Sequence, residues 1–148
     1  MFDDGVVHSL TVGLSRKLET LFESPVIYHD MLPMGYEEPC FFIRSLDTQV
    51  TLRLYDRYLV QVNYDITYHP QERDFYTTEI SRVADKLTYG LEYIPLEDES
   101  LLRGSNMRWE VQENVLHFFI SFDFFVRRPK DRGAKMQTLT QQCRLKEV

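Results

Sequence analysis

The sequence predicts an α+β fold, in which two helices cover one face of a single, mostly antiparallel sheet of about four to five strands. Two segments repeat apolar residues every three or four positions, which is the period of an amphipathic helix. Elsewhere apolar and polar residues alternate, which is the period of a strand with one buried face. Because several strands follow one another directly, we expect antiparallel pairing, with the second face of the sheet left available for contacts.

Length and composition bound the class of protein. The chain has 148 residues, of which 43% are hydrophobic and 14% aromatic, enough for one well-filled core. It contains no apolar run long enough to span a membrane, and its acidic N-terminus does not resemble a signal peptide. Cys40 and Cys143 match no metal or redox spacing, so we expect free thiols in a reducing cytoplasm.

The first helix is predicted over about residues 5–23, and Ser24-Pro25 ends it because a residue before proline disfavours the helical conformation. A short strand at residues 26–29 and a loop at residues 31–39 follow. The apolar stripe of this helix consists of Val7, Leu10, Leu14, Leu18 and Leu21.

The central strands begin at residue 40. We predict a buried strand start at residues 40–43, a polar interruption at 45–49, a strand at 50–55, and a turn or bulge at Asp56-Arg57. The next strand alternates most regularly. One face holds Val60, Val62, Tyr64, Ile66 and Tyr68, and the other holds Gln61, Asn63, Asp65, Thr67 and His69.

A second helix is predicted over about residues 74–93, with Asp74 as its N-cap and Pro95 beyond its end. Its apolar stripe consists of Ile80, Val83, Ala84, Leu87 and Leu91.

A hairpin is predicted from residues 107–111 and 115–126 around Glu113-Asn114. Its second strand places Phe118, Ile120, Phe122, Phe124 and Val126 on one face, and His117, Phe119, Ser121, Asp123 and Phe125 on the other. Two aromatic rings on the second face indicate a contact surface, because exposed aromatic patches mark interfaces.

The charge is unevenly distributed. Residues 1–126 carry 10 Lys and Arg against 21 Asp and Glu, whereas residues 127–148 carry 7 against 2. We therefore divide the chain into an α+β domain, 1–128, and a basic C-terminal arm, 129–148. The arm is either a partner-binding segment or a solvated tail.

No arrangement of residues indicates catalysis. The four histidines lack metal-ligand spacing, and His117 on a strand is expected to be a hydrogen-bonded sheet histidine. The acidic cluster Glu97, Asp98 and Glu99 lies in a predicted loop, where solvated carboxylates are the rule. No glycine-rich phosphate loop is present, and the basic residues lack interleaved aromatics for nucleic-acid binding. We expect a structural protein, not an enzyme, with no catalytic, cofactor or metal site.

Four segments together resemble a known family. They are residues 39–43, 102–108, 116–119 and 123–126, and their order and spacing, with the helix between them, are similar to the tail terminator proteins of phages and of phage tail-like particles of Gram-positive bacteria. The resemblance runs from the first helix through Arg128.

The resemblance implies a small α+β subunit that forms a ring, commonly a homohexamer, at the head-proximal end of the tail tube. The ring stops tube elongation and presents the surface that joins the head, neck or collar, and in contractile tails it meets the last sheath ring. Its expected partners are therefore itself, tail tube protein, sheath protein and a head or neck connector, while DNA passes through without specific binding. Such a protein is assembled in the bacterial host cytoplasm and resides in the virion or tail-like particle. The resemblance implies no cofactor and no catalytic residue.

A ring built from head-to-tail contacts needs two complementary patches on each subunit. The acidic domain with the basic arm is one pair, and the face with the two phenylalanines is another candidate. Near Arg103 and Arg108, either the arginines bridge subunits or, as we favour, Gly104 permits a tight turn into the strand at Met107. The candidate subunit and tube interface residues are Phe119, Phe125, Arg103, Arg108, Arg127, Arg128, Lys130, Arg132, Glu97, Asp98 and Glu99.

Two alternatives remain open at this point. The chain is another head–tail connector, such as a neck adaptor or stopper, or a small α+β ligand-binding domain or enzyme with an unrecognised pocket.

Overall fold

The fold of the computed structural model is α+β, with two helices on one side of a six-stranded mixed sheet. The structure describes residues 5–71, 74, 76–97 and 99–128. In chain order the elements are α1 (Val6–Leu21), β1 (Ile27–His29), β2 (Cys40–Leu54), β3 (Arg57–His69), α2 (Tyr76–Gly90), β4 (Tyr93–Pro95), β5 (Leu101–Gln112) and β6 (Val115–Arg127).

The strand order is β1-β2-β3-β6-β5-β4. β1 and β2 run parallel and every other neighbouring pair is antiparallel, so the predicted mostly antiparallel sheet is confirmed. The predicted count of about four to five strands is too low. The additional strand, β4, has three residues, too few to show the alternation by which strands are recognised in sequence.

The core lies between the helices and one face of the sheet. Val62, Tyr64 and Ile66 of β3 are fully buried, as the alternation predicted. Both apolar stripes predicted for the helices pack in the core; Val7 and Leu21, at the ends of the first stripe, are only partly buried. This burial removes apolar surface from water and is the main stabilising contribution to the fold.

The polar stretch at residues 45–49 does not interrupt the strand, so that prediction was wrong. β2 is continuous, and its register against β3 shifts by one residue between Ser45 and Thr48. Such a bulge inserts one extra residue without ending the strand, which is how the polar segment is accommodated. The turn that follows contains Tyr55-Asp56, because Leu54 pairs with Arg57.

Gly104 does not form a turn, contrary to our prediction. It lies buried within the continuous strand β5, where an added Cβ would lie 2.5 Å from Cδ1 of Ile120 and 2.6 Å from the carbonyl oxygen of Leu91. Glycine is therefore present because the backbone approaches its neighbours closely. The irregularity comes just after it, as a register shift between Ser105 and Arg108.

The second helix is shorter than predicted. It begins at Tyr76 and ends at Gly90, so the segment predicted to be its last turn instead leads into β4, which contains Pro95. Proline is compatible with an edge strand because its nitrogen has no hydrogen to donate to a neighbour. Neither helix in the described residues combines the length and apolar composition that crossing a membrane requires.

Candidate interface surfaces

The sheet has a second face that no described helix covers, and we call it the open face. The cross-strand register brings Asp65 of β3 opposite Arg44 of β2 and Phe119 of β6, and it brings Phe119 opposite Arg108 of β5. Directly paired residues share one face of a sheet. Among the residues of the open face are Arg44, Arg57, Asp65, Arg108, His117, Phe119, Ser121 and Phe125.

A buried carboxylate organises one end of the open face. Asp65 is 1% exposed, and its Oδ2 accepts a hydrogen bond from the Arg44 guanidinium at 3.0 Å. Nδ1 of His117 lies 3.2 Å from the same oxygen. His117 is therefore a hydrogen-bonded sheet histidine, as predicted. The three side chains link β2, β3 and β6 across the face.

Two aromatic–cation pairs also lie on the open face. The guanidinium carbon of Arg108 lies 4.1 Å from the ring centroid of Phe119, and that of Arg57 lies 4.0 Å from the ring centroid of Phe125. Phe125 is 50% exposed. Arginine and aromatic side chains are enriched in the cores of protein interfaces, so this composition is that of a binding surface.

Arg127 and Arg128 lie at the end of β6, beside the turn between β2 and β3. Arg127 pairs with Arg57 in the sheet. The backbone N–H of Arg128 donates to the Asp56 carbonyl oxygen at 2.7 Å, and its guanidinium donates to the Tyr58 hydroxyl at 2.6 Å. The hydrogen bond to Tyr58 raises the pKa of Arg128. Arg128, the last residue that the structure describes, therefore lies at this turn.

The remaining candidates lie at the other edge of the sheet. Arg103 pairs with Tyr93 of β4 and has its guanidinium 3.7 Å from the carboxylate of Glu92. Glu97 and Glu99 are exposed in the loop between β4 and β5. The acidic loop lies beyond β5 at the β4 edge, whereas Arg103 lies on β5, the strand next to the one that carries the phenylalanines. Asp98, Lys130 and Arg132 lie outside the described residues.

The sequence matches the family described as phage tail terminator protein over residues 9–134. The chain belongs to the phage tail terminator family. The match spans all but the first three residues of α1, all of α2 and all six strands of the sheet. No curated protein matches the sequence.

Membership in the terminator family identifies the chain as a structural protein of the phage tail. Its location is the virion tail, and its partners are other tail and head components. The predicted resemblance to this family is therefore confirmed. The surfaces described above are the candidates for contacts between terminator subunits and with those components.

Sequence reasoning missed two members of the terminator's open face, Arg44 and Arg57. The alternation placed Asp65 and His117 on this face, but it did not show that they meet. Asp65 lies 21 residues from Arg44 and 52 residues from His117 in sequence, so both contacts depend on the pairing and register of different strands. Arg44 stands next to a polar stretch, and nothing in the neighbouring sequence indicates that its partner is Asp65.

The described residues contain no group of three or more histidine, cysteine, aspartate or glutamate side chains that would hold a metal ion. A cleft of about 380 Å³ lies between α1, β1 and β2, and His8, Thr11, His29 and Arg44 are among its lining residues. The cleft lies beside β1 at one edge of the sheet, and its Arg44 also belongs to the open face. None of the described interface residues predicted from the sequence lines it.

Proposed function

We propose that the chain assembles into a ring, a homohexamer, that caps the head-proximal end of the tail tube. The ring stops the addition of tube subunits and presents the surface to which a head, neck or collar component binds. The role is structural and involves no catalysis. The observation that carries this proposal is the family match over residues 9–134.

Ring formation requires a head-to-tail contact between two different patches of the subunit. The uneven charge of the chain supports this requirement, because residues 1–126 are strongly acidic and residues 127–148 are basic. Arg128, which precedes the arm in sequence, lies at the turn between β2 and β3. In the proposed ring the basic arm contacts the acidic surface of a neighbouring subunit.

The open face is our candidate for the contact with tail tube protein. It combines the exposed ring of Phe125 with the guanidinium groups of Arg57 and Arg108. In a contractile tail the outer rim of the ring also meets sheath protein. We place these contacts in a particle that is assembled in the host cytoplasm.

DNA is proposed to pass through the ring without specific binding. Residues 1–126 carry a net charge of −11, so a channel rim built from this domain repels phosphate groups.

Electron microscopy of the full chain mixed with its cognate tail tubes tests the proposal. We expect a ring at one end of each tube, and tubes that no longer lengthen when tube protein is added. A chain that leaves the tubes bare and growing contradicts the capping role. Rings that bind only a head connector identify a neck protein instead.

A matched pair of variants tests the open face in the same experiment. Phe125→Ser removes an exposed aromatic ring from the open face, and Tyr89→Ser removes one from α2, where Tyr89 is 79% exposed. We expect the first variant to cap fewer tubes and the second to cap as many as the unmodified chain. Equal capping by both variants contradicts a role for Phe125.

A further inference from the structure

Two long strands of the sheet have edges that are free over most of their length. β1 pairs with β2 only at Phe41–Ile43, and β4 pairs with β5 only at Leu101–Arg103. Within the described part of the chain, no strand pairs with the outer edge of β2 over residues 44–54 or of β5 over residues 105–112. A free edge presents unpaired backbone N–H and C=O groups, which another strand can bind.

The register identifies the outward-pointing backbone groups of β2. The N–H of Phe41 donates to the carbonyl oxygen of Val26, away from β3. In an antiparallel pair the direction alternates from residue to residue. Phe41 pairs with Tyr68 of β3. Val62, Val60 and Tyr58 lie an even number of residues from Tyr68, so their partners on β2 also point outward. These outward-pointing residues are Thr48, Val50 and Leu52.

The same argument applies to β5. The N–H of Gly104 donates to the carbonyl oxygen of Glu92, away from β6. Gly104 pairs with Phe122, and positions on β6 an even number of residues away pair with Trp109 and Val111. The backbone groups of Trp109 and Val111 therefore point toward the free edge.

The side chains of these outward-pointing residues are apolar and exposed. Val50 is 60%, Leu52 53%, Trp109 42% and Val111 40% exposed. All four lie on the side of the sheet that the helices cover, since Val50 pairs with the core residue Val60, and Trp109 and Val111 pair with core residues of β6. Long apolar edges are uncommon in proteins that remain monomers, because they promote association.

The two edges match each other in direction. β2 is antiparallel to β3, β3 to β6, and β6 to β5, so β2 and β5 are antiparallel to each other. When neighbouring copies are related by rotation about an axis parallel to the strands, β5 of one copy lies beside β2 of the next and runs antiparallel to it. β1 and the neighbour's β4 then flank opposite ends of the shared segment and do not collide.

We propose that β2 of one copy pairs with β5 of the next, which joins the sheets of neighbouring subunits. The backbone bonds run from Thr48, Val50 and Leu52 to the neighbour's Trp109 and Val111, whose side chains extend the apolar core across the contact. The contact is head-to-tail, so repeating it by rotation closes a ring. This inference rests on the proposed ring and specifies its subunit interface.

A second copy is the occupant that the geometry favours. One free edge lies near each end of the strand order. The exposed apolar residues of both edges lie on the same face of the sheet. Any single segment, such as residues 129–148 of the same chain, covers one edge and leaves the other exposed. A neighbouring copy on each side covers both edges with one repeated contact.

Substitution at the free edge tests the inference. Val50→Lys and Val111→Lys each place a charge in the proposed contact, and Tyr89→Lys places one on the exposed surface of α2. We expect the two edge variants to lose ring formation on tail tubes and the α2 variant to retain it. Unfolding midpoints close to that of the unmodified chain show that the edge variants remain folded.

Cross-linking provides an independent test. The double variant Val50→Cys/Val111→Cys, made in a Cys143→Ser background and treated with a short bismaleimide in the presence of tubes, is expected to give covalent oligomers larger than dimers. Cys40 remains in place because burial raises the pKa of its thiol to about 11 and keeps it unreactive. The control pair Val50→Cys/Tyr89→Cys is expected to give no such ladder.

The outcomes separate the interface from the function. The edge pairing is overturned if rings form on tubes without a cross-linked ladder and if the Val50→Lys variant still forms rings. The capping role then remains intact. Slow amide exchange at Thr48, Val50 and Leu52 in the isolated monomer also overturns it, because the chain itself then covers the edge. An unmodified chain that forms no ring and binds no tube overturns the proposed function.

Discussion

Gly104 is the residue at which a single methyl group has the clearest consequence. An added Cβ would lie 2.5 Å from Cδ1 of Ile120 and 2.6 Å from the backbone oxygen of Leu91, and backbone cannot move aside as a side chain can. We expect Gly104→Ala to lower the free energy of unfolding by about 1–3 kcal/mol, the usual cost of overpacking. Urea unfolding measures this change.

The matched control for Gly104→Ala is Ser45→Thr, which adds one methyl group to an exposed strand position. Its unfolding midpoint is expected to stay close to that of the unmodified chain. An equally stable Gly104→Ala variant would show that β5 and α2 separate more easily than the structure implies.

Three buried groups, the Cys40 thiol and the Tyr64 and Tyr68 hydroxyls, are neutral in the folded protein at neutral pH. The free energy of unfolding is therefore expected to depend on pH in the alkaline range. Burial raises the pKa of Cys40 to about 11, with a further contribution from Glu38, and raises the pKa of Tyr64 to about 12. Burial and the hydrogen bond to Glu79 also raise the pKa of Tyr68. In the unfolded chain these groups ionise at their ordinary pKa values, 9.0 for cysteine and 10.0 for tyrosine.

The sign of the pH dependence follows from these shifts. Raised pKa values stabilise the fold fully below the unfolded values, and this stability is lost as the pH rises from about 9 toward about 12. Urea unfolding measured across this range is expected to show a falling midpoint. Tyr64→Phe removes one of the three groups and is expected to make the decline shallower. A midpoint independent of pH in this range contradicts the assignment.

At the scale of elements, the β5–β6 turn contains a locally unfavourable residue. Glu113 and Asn114 both have positive φ, 51° and 64°, as a two-residue hairpin turn requires. Asparagine tolerates this conformation, whereas glutamate has no such preference. We expect Glu113→Asn to raise the free energy of unfolding by about 1 kcal/mol.

Glu110→Asn is the control for the turn variant, because Glu110 lies within β5 and is not among the residues with positive φ. Glu113→Gln is the second control, because it removes the same negative charge at the same position and glutamine lacks the tolerance of asparagine for positive φ, so its difference from Glu113→Asn isolates the backbone effect. Thermal unfolding of the two variants measures it. Equal shifts would mean that charge, and not turn conformation, determines the change.

The elements of the sheet also explain which predictions succeeded. The alternation of β3 and β6 correctly separated core-face from open-face residues because each strand shows its own two faces. The same reasoning divided β2 at its polar stretch, because a bulge moves the alternation out of phase. It also missed β4, which has three residues.

At the scale of the whole molecule, the basic arm is the feature that most distinguishes the two ends of the chain. We expect the triple variant Arg127→Glu, Arg128→Glu and Lys130→Glu to impair ring formation, because it reverses the charge that faces the acidic neighbour in the proposed ring. Raising the salt concentration is expected to weaken assembly of the unmodified chain for the same reason. Electron microscopy of tubes with bound rings measures both effects.

The control for the arm is an equal change of charge elsewhere, in Arg16→Glu, Lys17→Glu and Arg82→Glu on the helices. Rings that form normally in the arm variant sink the idea that the arm docks on a neighbour. Loss of rings in both variants assigns the effect to net charge and not to the arm.

The sequence by itself determined the α+β class, both helical stripes, the buried face of β3, the hairpin at Glu113-Asn114 and the resemblance to the terminator family. These features are local, because helix and strand periods are read within one segment. The tertiary structure alone decided the contact of Arg44 with Asp65, the close approach of Gly104 to Ile120, and the free edges of β2 and β5. The first two contacts join consecutive strands, but a bulge between each contact and its turn shifts the register, and the alternation of one strand does not show by how much. The free edges depend on the strand order of the whole sheet, which no single segment encodes.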